Sequence, residues 1–500
     1  MKKSKNPDSD IKQRPLADRL GIVFITLVLS AMVGACSSGM ESLIARSVSL
    51  DGEEDRQMQS YIEQEIGIVA DPQLTAYVNN VAQSLLKPIS DATPDIQVIL
   101  YDRYTPNIFA MPGGTIYLSR GMLASLKNED ELAHLLAHQL AHINLNHTHR
   151  QVSLLTDVGF LRINGVLVDH VVKHKIKPLV YIPHKHLIRG YMASHSPRDE
   201  FEADVYGQLM AAEAGYDPYA LPIVLKRLQR ASVRVRGEGH MPAFFDTHVS
   251  EYHRIGRLRD DADEIEWIRH TDRSGESEPF LPKLNGLLVG LNPAGGVMTG
   301  DEYRHPDLNI AIQMPADWSV AITQDAVVSV SDSLKAALIF SLQGIDASPE
   351  QAALRFTDHI KTTLDIDPID SRATTIGGLS AYLATYRDVT GEEPARLVFV
   401  WIYHRSKTFA LFGVANERRN PQLMQTAFSF RELEPQEREE IMEIRLAVVE
   451  ARGGEDIRQL CARTKNVWDP GTTALLNGID YRRSLNPGQF VKIALKGPYR

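Results

Sequence analysis

The chain has 500 residues, with 54 Lys and Arg against 63 Asp and Glu, a net charge of −9. That balance offers no general attraction to polyanions, and no stretch interleaves basic with aromatic residues, so a nucleic-acid partner is set aside. An apolar fraction of 43% in a chain this long implies about three globular domains rather than one.

Residues 1–35 read as a lipoprotein signal peptide. Lys2, Lys3, Lys5, Lys12, Arg14 and Arg19 precede an apolar run from Gly21 to Ala35, which is short for a membrane span. The run ends Val33-Gly34-Ala35-Cys36 and resembles a bacterial lipobox. The resemblance implies cleavage before Cys36 and acylation of that cysteine, a membrane anchor that does not span the bilayer. With Ser37 next in line, it further implies the periplasmic face of a Gram-negative outer membrane. Cys461 is the only other cysteine, so a lipidated Cys36 leaves no intrachain disulfide, and Cys461 reads as a small buried hydrophobe.

A polar linker, 36–55, leads into a domain expected over 56–258. Helical periodicity covers 55–88, and Ile96 to Tyr101 and Thr115 to Ser119 read as strands, the second following the Pro112-Gly113-Gly114 turn. A helix begins after Asn128, an N-cap with Glu131 three residues on. Leu132, Leu135, Leu136, Leu140 and Ile143 form its buried face. Residues 155–195, with His170, His174, His184 and His186 among lysines, read as a mobile flap. A second helix starts with Ser196 as N-cap, Pro197 at its first position and Asp199 in the capping box, and stops at Gly215. Residues 259–300 read as a linker. Short strands, among them Leu308–Met314, Leu338–Leu342, Leu397–Tyr403 and Phe409–Val414, suggest a separate α+β domain over 301–435. The last unit, 440–496, reads strand, capped helix, helix ending in Asn477, then a Pro-Gly turn into a strand. No repeat of 20–50 residues is present.

The chemistry concentrates in His138-Gln139-Leu-Ala-His142. Two histidines four apart on a helix share a face and can reach one metal ion. A catalytic zinc site needs a third protein ligand, and Glu200-Phe-Glu-Ala-Asp204 supplies carboxylates four apart on another helix. One can bind metal while the other orients a histidine through its far ring nitrogen. In the H-E-x-x-H pattern the residue after the first histidine is a glutamate that takes a proton from the attacking water. Here it is Gln139, which keeps the shape and cannot carry the proton. General acid–base help of that kind is worth about a hundred- to ten-thousand-fold, so metal binding is expected to persist while hydrolysis is strongly reduced.

Asn107-Ile-Phe-Ala-Met-Pro-Gly-Gly114, then Glu131 to His142, then His147, then Ser196 to Asp204 follow one another in a way that resembles the zinc metallopeptidases that include the CAAX prenyl protease, HtpX and the β-barrel assembly-enhancing protease, a gluzincin family. The resemblance implies one zinc ion per chain with His138, His142 and Glu200 as ligands, Asp204 behind them, and a polypeptide substrate. Phe244-Phe-Asp-Thr247-His248 and His253-Arg254-Ile255 resemble the family's Thr-His-Pro…Arg-Ile segment, with Val249 in place of proline. By that resemblance His248 is a gate or a transition-state stabiliser, and a plain structural histidine is the alternative.

The last unit resembles a LysM domain, whose relatives bind peptidoglycan. The middle domain, with its Pro315-Ala-Asp-Trp318 turn, resembles PsbP/Mog1-like modules and carries no site. The expected fold class is multidomain α+β: a mainly helical zincin-like domain with a small sheet, an α+β domain, and a LysM-like domain. The expected function is a lipid-anchored envelope metallopeptidase in which an extended substrate pairs with an edge strand at Thr115–Ser119. The rival is a pseudoprotease that binds envelope proteins or glycan without cutting, and a weaker third reading is a metal store using the 170–195 histidines.

Overall fold

The computed structural model describes residues 56, 58–60, 62–86, 95–148, 195–234, 252–269, 279–322, 326–331, 336–345, 348–364, 367–388 and 395–500. The signal segment with Cys36, the flap up to residue 194, and His248 lie outside the described residues. No helix among those described is long and apolar enough to cross a membrane. The described chain divides into two compact units. One is Pro293–Ile441, and the other joins the residues up to Asn292 with Met442–Arg500.

The second unit opens with α1 (Pro72–Leu86) and a three-stranded sheet, β1 (Gln97–Tyr101), β2 (Ile108–Ala110) and β3 (Thr115–Ser119), in the order β1-β3-β2. β1 runs parallel to β3 and β2 antiparallel to it. Alternation sorts the side chains. Val98, Leu100, Ile116 and Leu118 join the main core, while Ile99, Tyr101, Phe109 and Tyr117 pack with Ile62 and Ile66 on the other face. Gly114, at φ +103°, takes the left-handed backbone that lets β2 turn back into β3. Asn107 is buried, and its backbone N–H donates to Ser119 Oγ at 2.8 Å.

This order corrects one expectation. Thr115–Ser119 is the central strand, not an edge, because β1 and β2 occupy both of its sides. The outer side of β1 is covered as well: Asn79 exchanges two hydrogen bonds with the Val98 backbone, and Gln83 donates to Ile96 O. β2 forms the other edge.

Ser119 Oγ also accepts from Met122 N and so caps α2 (Arg120–Ser125). Next comes α3 (Glu129–Asn144), capped by Asn128, whose side chain accepts from Glu131 N at 3.0 Å. Every residue from Glu131 to Ile143 is buried. The helix is therefore enclosed all round rather than on one apolar face, and its polar side chains must find partners inside. α4 (Pro197–Glu213) lies against it, followed by α5 (Ala220–Arg234) and α6 (Tyr252–Glu264). Gly207 of α4 permits the approach: a Cβ there would sit 2.9 Å from both Cα and N of His138.

The stretch expected to be a linker, 259–300, differs from that reading. Its first residues continue α6 to Glu264. Leu284, Leu287 and Leu288 are buried, and Gly286, Leu287 and Val289 exchange backbone hydrogen bonds with Ile444 and Leu446. Its charged and Gly-rich composition concealed a segment that packs through three leucines.

The final residues form strands Met442–Glu450 and Phe490–Pro498, paired antiparallel around helices Ile457–Thr464 and Pro470–Leu476. Asp456 and Asp469 cap the helices, and Cys461 is buried between them. Lys492 is fully buried, and its Nζ donates to Ala124 O at 2.7 Å and to Leu126 O, the carbonyls at the end of α2.

The other unit is built on a seven-stranded antiparallel sheet that includes Ala336–Ile345, Ala395–His404 and Lys407–Asn416. A four-stranded sheet and helices Pro349–Leu364 and Asn420–Phe428 complete it. The whole is a mixed α+β multidomain chain. Among the described residues, neither three-ligand cluster of His and carboxylate groups falls in this unit.

Candidate metal centre

α3 presents His138 and His142 one turn apart, and α4 presents Glu200 and Asp204 across from them. All four side chains are buried. The two histidine Nε2 atoms face each other at 3.1 Å. Glu200 Oε1 lies 3.4 Å from His142 Nε2, and Oε2 lies 3.7 Å from His138 Nε2. Zinc bonds of about 2.0–2.2 Å at tetrahedral angles separate ligand atoms by about 3.3–3.6 Å, so this triangle has the right size. Its chemistry fits too: buried Glu200 Oε1 accepts no hydrogen bond, which in a dry site is costly unless a cation completes it. Two imidazoles and one carboxylate match the protein donor set of a catalytic zinc site.

The surroundings hold these groups ready. His138 Nδ1 lies 3.1 Å from Asp204 Oδ1, a contact that directs Nε2 toward the triangle. Arg254 of α6 grips Asp204 with two hydrogen bonds of 2.7 Å and places Nη1 2.8 Å from Glu200 Oε2. Burial would raise the Asp204 pKa, but Arg254 and His138 bring it below the ordinary carboxylate value. Burial would likewise lower that of Arg254, and the two carboxylates reverse it. The His142 pKa lies well below that of a free imidazole, first through burial and then through His195, His138, His147 and Arg254. A neutral imidazole is the form that ligates metal.

Other histidines sort themselves by geometry. His134 is buried, and its Nδ1 faces Asp130 O of its own helix at 2.9 Å. It stands apart from the triangle, and burial pushes its pKa down to about 4. His195 stacks on His142 with ring centroids 3.9 Å apart and planes inclined by 18°. His147 Nδ1 lies 3.1 Å from His142 Nδ1, and its Nε2 faces Glu202.

Gln139 is buried beside His138 on α3. Neither nearby glutamate is placed to substitute for the missing base. Glu131 is gripped on both oxygens by Arg227 and also accepts from Lys127 N. Glu202 is paired with Arg198 and His147, away from the triangle.

Sequence reasoning did not assign the double grip of Arg254 or the stacking of His195. The Arg-Ile signature pointed at the first without its role. The second was hidden as the last member of a histidine-rich stretch.

Two histidines four apart on one helix, with a carboxylate brought in by a second helix, match the ligand spacing of zinc-peptidase sites. Residues 71–262 match the model of peptidase family M48. The mitochondrial metalloendopeptidase OMA1 of Schizosaccharomyces pombe is 29% identical over 213 residues, 41% of this chain and 59% of that protein. The β-barrel assembly-enhancing protease of Escherichia coli K12 is 25% identical over 223 residues, 43% of this chain and 45% of the relative. The chain thus spans about half the length of these curated relatives. Among solved structures, cyanobacterial PsbP from Synechocystis sp. PCC 6803 matches 28% of this chain and 96% of its own, at 16% identity and a TM-score of 0.23.

Proposed function

We propose that the chain is a metallopeptidase-family protein of the bacterial envelope that binds one zinc ion through His138, His142 and Glu200 and engages extended polypeptides, with hydrolysis reduced by Gln139. The observation that carries this reading is the triangle of ligand atoms with Glu200 Oε1 accepting no hydrogen bond. When bound, the metal supplies Lewis acidity to a peptide carbonyl and to the attacking water. The chain's own residues do the rest: Asp204 orients His138, Arg254 holds Asp204 and Glu200, and Gln139 occupies the position of the general base without carrying a proton. An extended segment docks by strand pairing along β2, which among the described residues ends the sheet on the side away from β1. By family likeness, His248 has the role of a gate or a transition-state stabiliser. Cys36 is the lipid anchor at the periplasmic face of an outer membrane, and the C-terminal module is a LysM-like domain that binds peptidoglycan.

Gln139 itself favours a second reading, a pseudoprotease that holds envelope proteins without cutting them. The Gln139→Glu variant separates the two. At unchanged zinc content, casein hydrolysis should rise about 100- to 10,000-fold. Equal cleavage by both proteins would show that Gln139 does not limit turnover. No cleavage by either, with polypeptide binding by both, would leave the scaffold reading standing.

A further inference from the structure

We infer that His147 is a positioning residue for the metal centre, carrying the hydrogen bond of His142 outward to Glu202. The inference rests on the zinc reading above and goes beyond it. If His142 turns Nε2 toward the metal, its single proton sits on Nδ1. That nitrogen lies 3.1 Å from His147 Nδ1, which must then be the acceptor. The His147 proton is consequently on Nε2, and Nε2 faces Glu202 Oε2 at 3.3 Å and Asp199 Oδ1 at 3.6 Å. One tautomer satisfies every contact in the row, from His142 through His147 to the carboxylates.

His138 reaches a carboxylate directly, whereas His142 reaches one through an intervening imidazole. An outer partner of this sort fixes the ring orientation and raises ligand basicity.

His147, Asp199 and Glu202 also have the composition of a second cation site. Two observations argue against it. A metal on His147 Nε2 would strip the ring of its last proton while Nδ1 still accepts from His142. Each carboxylate is also held through the oxygen turned away from His147: Glu202 Oε1 accepts from Arg198 Nε at 2.8 Å and Asp199 Oδ2 from Ser196 Oγ at 2.8 Å. A guanidinium beside the carboxylate repels a further cation.

The test is zinc affinity by chelator competition on the full chain, with thermal midpoints of the metal-free proteins alongside. His147→Ala should weaken zinc binding about 10- to 100-fold. His147→Asn, which keeps an acceptor near the Nδ1 position, should restore most of that loss. Glu202→Gln, on a half-exposed side chain that does not threaten folding, should weaken binding about threefold to tenfold. The inference is overturned if His147→Ala and Glu202→Gln bind zinc within twofold of the parent while His138→Ala binds none. It is equally overturned if the parent holds two zinc ions and His147→Ala one, the signature of a second site. Tight zinc binding by His138→Ala would instead remove the metal-centre reading itself.

Discussion

Two of the places where the unit that holds His138 and His142 buries polar and charged groups are treated differently. Around Lys492 the polar groups have partners: its Nζ meets two carbonyls that end α2, and nearby Glu131 is gripped on both oxygens by Arg227. Around His138 and His142, Arg254 and Asp204 form a complete pair, yet Glu200 Oε1 accepts nothing and two imidazole nitrogens face each other at 3.1 Å. The first arrangement serves the fold. The second pairs one oxygen of Glu200 with Arg254 and leaves the other, buried, without a donor, an arrangement a bound cation would complete.

Three measurements press on this contrast. The largest effect should come from Arg254→Met, which removes the guanidinium from Asp204 and Glu200 and strands two buried carboxylates. A loss of about 3–5 kcal/mol in urea unfolding is expected. A change no greater than about 0.5 kcal/mol, typical of a surface position, would mean that the centre does not depend on this arginine.

Acid should act next, through His134. Its folded pKa of about 4 lies below the value of about 6.5 for an exposed imidazole, so the unfolded chain takes up the proton first. Stability is whole above pH 6.5 and falls as the pH drops toward 4, by about 3 kcal/mol in all. His134→Gln should flatten the difference between unfolding midpoints at pH 7 and pH 5. Equal slopes in the two proteins would contradict the assignment.

The smallest effect is expected at Lys492. Lys492→Met keeps the stem but leaves Ala124 O and Leu126 O without their donor, and the relief of burying one fewer cation offsets part of the loss. A net cost of about 1–2 kcal/mol follows. An increase in stability would show that the buried lysine serves a purpose other than docking the last sixty residues.

Much of the local structure was legible beforehand. Asn128 and Ser196 announce helix starts because a short polar side chain satisfies the orphan N–H groups of a first turn, and both caps form. The strand at Gln97–Tyr101 follows from its apolar run, and the four-residue spacings of His138/His142 and Glu200/Asp204 place each pair on one helix face. Other features were not legible. Strand order has no signature in Thr115–Ser119, since a central strand and an edge strand share the same residue types. Residues 284–289 look like linker, because burial there depends on Ile444 and Leu446 some 160 positions away.

The amino-acid sequence by itself determined which residues can bind a metal, that Gln139 stands where a base belongs, and that the ligands arrive on two helices. These are properties of side-chain chemistry and helical period, and both are local. Only the tertiary structure decided that the three ligand atoms close to within metal-binding distance, that Arg254 reaches Asp204 and Glu200, and that β2 rather than β3 is an outer strand of the sheet among the described residues. Each of those depends on how far α4 can approach α3 and on which strands pair, and such distances are set by packing between segments the chain holds far apart.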